Sequence, residues 1–309
     1  VVGWLADSNF RVRAAQAAME DGGFALLVRA SIDEEWRVLQ VWPSEEEGQP
    51  YAFTPDGESL YVGSTLGSNT QELRTIRLID GLETVLASNP VVDLADILCH
   101  PTLEHVQAVG FCEDRLEWQI MDADIQKDFD LLRAAHNGEL HIESRDLADE
   151  NWIVLYHRDT APAAYYTYHR PTGKLEFLFT TRPALEKMAL AEMRPAHVTA
   201  RDGLLLHCYL TLPPGVDPVN LPMVLNVHGG PWARDNWGYD PEAQWLANRG
   251  YACLQVNFRG STGFGKEFLH AADREPAIGV VRRIHAVEDA LCGTPVGPVF
   301  SLALLVLHH

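Results

Sequence analysis

Five consecutive residues, His228-Gly229-Gly230-Pro231-Trp232, hold the densest chemical potential in the chain. They follow Met223-Val224-Leu225-Asn226-Val227, an apolar run of the kind that fills a buried strand. Asp240-Pro241 then reads as the N-cap and first position of a helix, and Gly250 as its stop. Glycine lacks a Cβ, so a loop of this composition lets backbone N–H groups approach a reacting group closely, whereas Pro231 has no N–H to give. The same residues suit a tight turn with no chemistry, and composition alone leaves both readings open.

Other clusters point to less. Cys99, His100, Glu104 and His105 gather like metal ligands, but their spacing matches no zinc pattern, and we expect a polar turn there. Asp122 and Asp124 begin like a calcium loop, yet Lys127 stands where the glycine is required and Arg133 where the last acid belongs. Glu45-Glu46-Glu47 offers carboxylates to a peptide amino terminus and equally reads as a solvated acidic loop, the expectation carried forward. We therefore expect no bound metal and no cofactor.

Two kinds of element must position these residues. To about residue 185 the chain reads as short strands separated by turn signals, the pattern of an all-β repeat array. Phe24–Val28, Trp36–Trp42, Leu60–Val62, Leu73–Leu78 and Leu82–Leu86 are such strands, with Asp56-Gly57 and Asp80-Gly81 as turns. Pro55 and Pro101 recur at close to a propeller-blade period. We read roughly three to four blades, with stacked β-sandwich hairpins as the alternative. One helix interrupts them, where Ile125, Phe129 and Leu132 share a face ahead of Asn137-Gly138. Past a linker ending near Arg194-Pro195 the pattern changes. A hairpin around Asp202-Gly203 is followed by strand, loop, helix and strand, the opening of an α/β sheet.

Bulk properties narrow the partners. With 47% hydrophobic and 22% charged residues the composition is that of a soluble globular chain, long enough for two domains. A net charge of −19 argues against nucleic acid and anionic membrane surfaces. No apolar run reaches the roughly 18–20 residues of a spanning helix, the greasiest being Val299–Leu307. Val1-Val2-Gly3 has no basic region of a signal peptide and reads as an internal start. Five scattered cysteines without a C-x-x-C pair suggest buried thiols in a reducing compartment, hence a cytoplasmic protein.

From Val224 to Asp235, and through Trp237-Gly238-Tyr239-Asp240-Pro241, Gln244-Trp245-Leu246-Ala247 and Arg249-Gly250-Tyr251, the sequence resembles the prolyl oligopeptidase family of serine peptidases. Gln255-Val256-Asn257-Phe258-Arg259-Gly260-Ser261-Thr262-Gly263-Phe264-Gly265 continues the likeness, nearest to the acylaminoacyl-peptidase-like branch. The resemblance implies a β-propeller portion over residues 1–185 and the N-terminal part of an α/β-hydrolase peptidase domain over 186–275. It implies cleavage of short peptides by a Ser-Asp-His triad, with the Gly230 N–H as an oxyanion-hole donor.

The chain departs from that pattern where the nucleophile belongs. No G-x-S-x-G elbow is present: Ser261 sits in Gly260-Ser261-Thr262-Gly263 with the wrong spacing, and Ser301 is followed by apolar residues. The triad acid and histidine follow the serine in chain order and are missing with it, and His308-His309 do not replace them. Residues 276–309 read as a divergent tail, in which Ile278, Val281, Ile284, Val287 and Leu291 offer one helix face. The chain reads as a peptidase fragment without its nucleophile, and a sheet lacking the nucleophile strand should present an unpaired interior edge. The alternative is a non-catalytic interaction protein that binds through the propeller and the half-hydrolase.

Overall fold

The structure is a computed structural model that describes residues 1–200, 202–219, 221–230 and 232–273, together with the backbone of Leu302–Val306. Alternating and β-branched sequence between turn residues produces four successive antiparallel meanders. The first contains β1 (Gly3–Ala6), β2 (Val12–Ala18), β3 (Phe24–Val28) and β4 (Arg37–Trp42); the second contains β5 (Gly48–Phe53), β6 (Ser59–Ser64), β7 (Glu72–Arg77) and β8 (Glu83–Ala87). A three-stranded sheet follows, with β9 (Leu94–Cys99), β10 (Val106–Cys112) and β11 (Leu116–Ile120). The last has β12 (Glu139–Arg145), β13 (Asn151–His157), β14 (Ala164–His169) and β15 (Lys174–Thr180), each strand beside its neighbour in sequence. This is the blade pattern of a β-propeller portion.

The helix α1 (Gln126–Ala135) lies where the Ile125/Phe129/Leu132 periodicity places it, and all three side chains are buried. Its buried Asp128 is matched rather than orphaned. Tyr168 Oη donates to Asp128 Oδ1 at 2.7 Å and Arg170 Nε to Oδ2 at 3.0 Å. Trp152, fully buried, sits edge-on to both Phe129 and Tyr168 and donates from Nε1 to Asp149 Oδ1 at 2.8 Å.

The second architecture is a mixed sheet, β16 (Met193–Thr199), β17 (Leu205–Thr211), β18 (Met223–Val227), β19 (Ala252–Asn257) and β20 (Leu302–Val306), in the order β16-β17-β19-β18-β20. β16 and β17 form the hairpin read around Asp202-Gly203, and β18 and β19 are parallel and buried along their whole length. Strands hidden on both faces must be apolar throughout, which is why these two read as continuous hydrophobic runs. The helix α2 (Pro241–Ala247) crosses between them, and Ala243 and Leu246 pack against Val224 and Cys253. The short helix α3 (Lys266–His270) follows.

The expected bare edge is not found. β20 pairs in parallel with β18 from Met223↔Leu302 to Val227↔Val306, so the tail supplies a strand where an unpaired one was anticipated. An apolar run meets an apolar strand with ladder groups still to pair, and pairing satisfies both. The helix face suggested over 278–291, together with Ser301, Cys292, His308 and His309, lies outside the described residues.

The chain divides into two compact units: Val1–Cys112 with Glu117–Gln126 and Gly263–Glu267, and Glu113–Leu116 with Lys127–Thr262 and Phe268–His309. In the first, Leu26, Trp42, Phe53, Leu60, Val62 and Ile76 form a core shared by the first two sheets. In the second, Cys208 and Cys253 are fully buried, with burial pushing each thiol up to about 12. Among the described residues, Cys99, Cys112, Cys208 and Cys253 take part in no disulfide.

Trp42 sets a steric limit on the first unit. It donates from Nε1 to Ser64 Oγ at 2.9 Å, and Gly48 lies so close that an added Cβ would fall 1.9 Å from the indole. Gly48→Ala is therefore expected to lower stability by about 1–3 kcal/mol, the usual effect of overpacking a filled core. The measurement is the urea midpoint from near-UV circular dichroism; an unchanged midpoint would show that the indole shifts without penalty.

Candidate active site

The loop leaving β18 is fastened at its first residue. His228 stacks on Phe258 with ring centroids 4.5 Å apart, its Nδ1 is 2.8 Å from the Gly229 carbonyl, and its Nε2 is 3.0 Å from Ser261 Oγ. A carbonyl only accepts, so Nδ1 carries the proton and Nε2 accepts from the serine hydroxyl. Burial lowers the pKa of this imidazole, which favours the neutral ring that the assignment needs.

A serine within hydrogen-bond reach of a histidine is the arrangement of an activated nucleophile. Here it is a fastening. Ser261 is fully buried, its own N–H is donated to the Phe258 carbonyl, and the far side of the imidazole faces a backbone carbonyl rather than an orienting acid. Ser261 cannot reach a substrate, in keeping with its spacing in the sequence.

Further along, Asp235 and Asn257 exchange hydrogen bonds. The Asp235 N–H donates to Asn257 Oδ1 at 2.7 Å, and Asn257 Nδ2 donates to the Asp235 carbonyl at 3.1 Å. Thr262 N–H donates to the Ala233 carbonyl at 3.0 Å, and Trp237 Nε1 to the Met193 carbonyl at 2.8 Å. Asp240 caps α2 by accepting from the N–H groups of Glu242 and Ala243. The ends of the loop are thus tied to β16, β19 and the segment after β19.

Between these ties lies Gly230, at φ +134°, a backbone region that side-chain-bearing residues rarely adopt. A Cβ there would meet the Trp232 nitrogen at 2.7 Å, so the position admits glycine alone. Among the described residues, the Gly230 N–H donates to no acceptor. Trp232 beside it is 72% exposed, and Pro231 lies outside the described residues. A backbone N–H without a partner among the described residues can donate to an oxygen of a bound molecule.

The unanticipated group is Asp235. Burial pushes its carboxyl up to about 7, with Asp240 and Glu242 adding repulsion while the Gln255 amide and Arg234 pull the other way. Gln255 Nε2 donates to Asp235 Oδ1 at 3.1 Å, and Oδ2 is buried without a partner among the described residues. Sequence offers only an aspartate in a polar loop; its burial depends on how the loop folds back over β19.

Of the clusters weighed earlier, His100 and His105 stack at 5.4 Å, and His105 Nε2 lies 2.8 Å from Asp122 Oδ2, which also accepts from Gln107. This is the polar turn expected there. Glu46 corrects the picture of a solvated acidic loop: it is half-buried, held by Lys266 Nζ at 2.6 Å and by Thr65 Oγ1 at 2.7 Å.

Comparison with known proteins bears on the family and the fold. A family model described as the prolyl oligopeptidase family matches residues 237–293, a span that runs past Glu275, where the resemblance read from the sequence ends. Dipeptidyl aminopeptidase BIII of Pseudoxanthomonas mexicana is 40% identical over 284 residues, covering 89% of this chain and 41% of that protein. Dipeptidyl peptidase family member 6 of Caenorhabditis elegans is 34% identical over 249 residues, 73% of this chain and 34% of its own length. The chain thus spans less than half the length of either relative. Among solved structures, a puromycin-hydrolyzing peptidase of Mycobacterium tuberculosis superposes with a TM-score of 0.75 at 20% identity, covering 98% of this chain and 48% of that one. At that identity the likeness speaks for the fold.

A pH-dependent test follows from Asp235. Its folded pKa is raised above the usual carboxylate range, so near pH 5 to 6 the folded state holds a proton that the unfolded chain has lost. The resulting stabilisation is complete below the unfolded pKa, falls as pH rises toward about 7, and is absent above it. Asp235→Asn removes this slope and should gain about 2 kcal/mol on the wild type between pH 5 and pH 8. Thermal melts of both proteins at the two pH values measure it; an equal difference at both would contradict the buried carboxyl.

Proposed function

The chain belongs to the prolyl oligopeptidase family, and from that premise we propose that it is the propeller-and-first-strands part of a serine-type peptidase that cleaves short peptides. The carrying observation is the Gly230 N–H, in the loop that leaves β18 and without an acceptor among the described residues. In the complete enzyme a serine attacks the peptide carbonyl, a histidine takes its proton, and the carbonyl oxygen becomes an oxyanion. Gly230 N–H donates to that oxyanion, whose charge draws the hydrogen bond tighter in the transition state than in the bound substrate.

The relatives bear dipeptidyl aminopeptidase and dipeptidyl peptidase names, which supports short peptides as the substrate class here. The boundary between propeller portion and hydrolase portion falls near residue 185, just before the linker that leads into β16. Four described cysteines outside any disulfide support a reducing, cytoplasmic setting, and the net charge of −19 speaks against nucleic acid as a partner. Among the described residues no helix is long and apolar enough to cross a membrane.

The 309 residues themselves are inactive on this reading, because no serine occupies a nucleophile elbow. The purified chain should neither hydrolyse dipeptidyl aminomethylcoumarins nor take up a fluorophosphonate probe; stoichiometric labelling of one serine would refute this. In a longer protein that contains the segment, replacing the amide N–H of residue 230 by an ester oxygen should lower kcat by about 10²–10³-fold with little change in KM. An unchanged kcat would remove Gly230 from the oxyanion hole.

A second reading, a non-catalytic binding protein, draws on β20, which completes the sheet beside β18 without an elbow. A monodisperse, cooperatively melting chain that captures short peptides without cleaving them would favour it.

A further inference from the structure

The β16–β17 hairpin places two imidazoles opposite one another. Its register pairs His197 with His207, and their rings meet edge to face with centroids 4.8 Å apart. Directly opposed residues on one face of an antiparallel pair hold their Cβ atoms about 4.5–5.5 Å apart, close enough for two side chains to share one ion. The turn between β10 and β11 brings carboxylates to the same spot. Asp114 Oδ1 lies 3.0 Å from His197 Nε2 and 3.5 Å from His207 Nδ1, so both rings aim a nitrogen at a single point. Glu113 joins them: one ligand atom each from Glu113, His197 and His207 lie within 4.8 Å of one another.

We propose that Glu113, His197 and His207, with Asp114 beside them, form a binding site for a divalent first-row transition ion, zinc(II) being the natural occupant. Two imidazole nitrogens and carboxylate oxygen are the borderline donors this ion takes. Tetrahedral zinc with ligand distances near 2.0–2.2 Å needs donor atoms about 3.3–3.5 Å apart. The His207 nitrogen is already 3.5 Å from Asp114 Oδ1; the His197 nitrogen, at 3.0 Å, has to open by a few tenths of an ångström, and the Glu113 carboxylate has to close in by a side-chain rotation.

The backbone under the carboxylates is pinned in a way that suits the site. Tyr209 Oη donates to the Asp114 carbonyl at 2.8 Å, and Arg234 Nη2 donates to the Glu113 carbonyl at 3.1 Å. The acidic pair is thereby held over the hairpin by main-chain contacts, leaving the carboxyl groups to serve the ion. His207 is buried in the sheet and fixes one ligand, while His197 and Glu113 are exposed and give solvent access to the ion. Because Asp114 and His197 are 83 residues apart in sequence, an ion here closes a long loop, which raises stability by lowering the entropy of the unfolded chain.

The test is zinc(II) titration of the untagged full chain by calorimetry, with thermal melts with and without the metal. One equivalent should bind and raise the melting temperature, and excess chelator should reverse the shift. His197→Ala and Glu113→Gln, both at exposed positions, should each weaken binding by about tenfold or more and reduce the shift, with circular dichroism confirming that the fold is kept. Cobalt(II) bound in place of zinc should give a tetrahedral visible spectrum that His197→Ala abolishes. His100→Ala and His141→Ala, drawn from the stacked His100/His105 pair and the His141/His157 pair, should leave binding unchanged. No heat with zinc, equal binding in His197→Ala and Glu113→Gln, or loss of binding in either control overturns the assignment.

Discussion

Because β18 and β19 run parallel, the chain that leaves Val227 has to travel back along the sheet before it re-enters at Ala252. No two-residue turn can do this; a parallel pair needs a crossover of a dozen residues or more. The crossover holds most of the candidate site: His228, Gly229 and Gly230, Asp235, the Asp240 cap and α2. Its first residues emerge at the C-terminal edge of the parallel strands, where α/β sheets place their ligands. The topology therefore decides where the loop sits, and side-chain hydrogen bonds decide how firmly it is held.

Those hydrogen bonds come largely from outside the crossover. Asn257 and Ser261, both fully buried, belong to the end of β19 and the segment after it, and they clamp Asp235 and His228 respectively. A buried amide or hydroxyl is tolerated only when it is paired, so each of these polar groups fixes its partner as much as itself. The Gly230 N–H has no acceptor among the described residues, while His228 and Asp235 on either side carry the loop's own hydrogen bonds. Asp235 shows the other side of the arrangement: packing the loop tightly leaves a carboxyl in a poor environment for its charge.

What could be read from the residues depended on how local each feature is. The hairpin at Asp202-Gly203, the helix at Phe129, the Asp240 cap and the blade-like strands rest on periodicity and turn chemistry within a few residues, and all appear in the structure. The Ser261–His228 contact joins positions that no local pattern links, and the burial of Asp235 depends on the same fold-back. The strand at Leu302–Val306 was visible as an apolar run, but its place beside β18 is a pairing choice that hydrophobicity does not specify. His197 and His207 were within reach: they stand at matching steps on either side of the Asp202-Gly203 turn, so a hairpin register drawn on the sequence pairs them. Glu113 and Asp114 reach them only through the tertiary fold.

The two buried cysteines give the sheet an internal clock. Cys208 on β17 and Cys253 on β19 lie on hydrogen-bonded neighbouring strands, opposite Val256 and Thr211 respectively. With their thiols pushed up to about 12 and no exposed surface, neither is a thiolate at neutral pH or open to an alkylating reagent. Modification at either position has to wait for the strands around it to part. With enough reagent for alkylation to outpace reclosing, the labelling rate equals the rate at which this sheet opens; with less, it reports how often the sheet stands open, recorded by two atoms already in place within it.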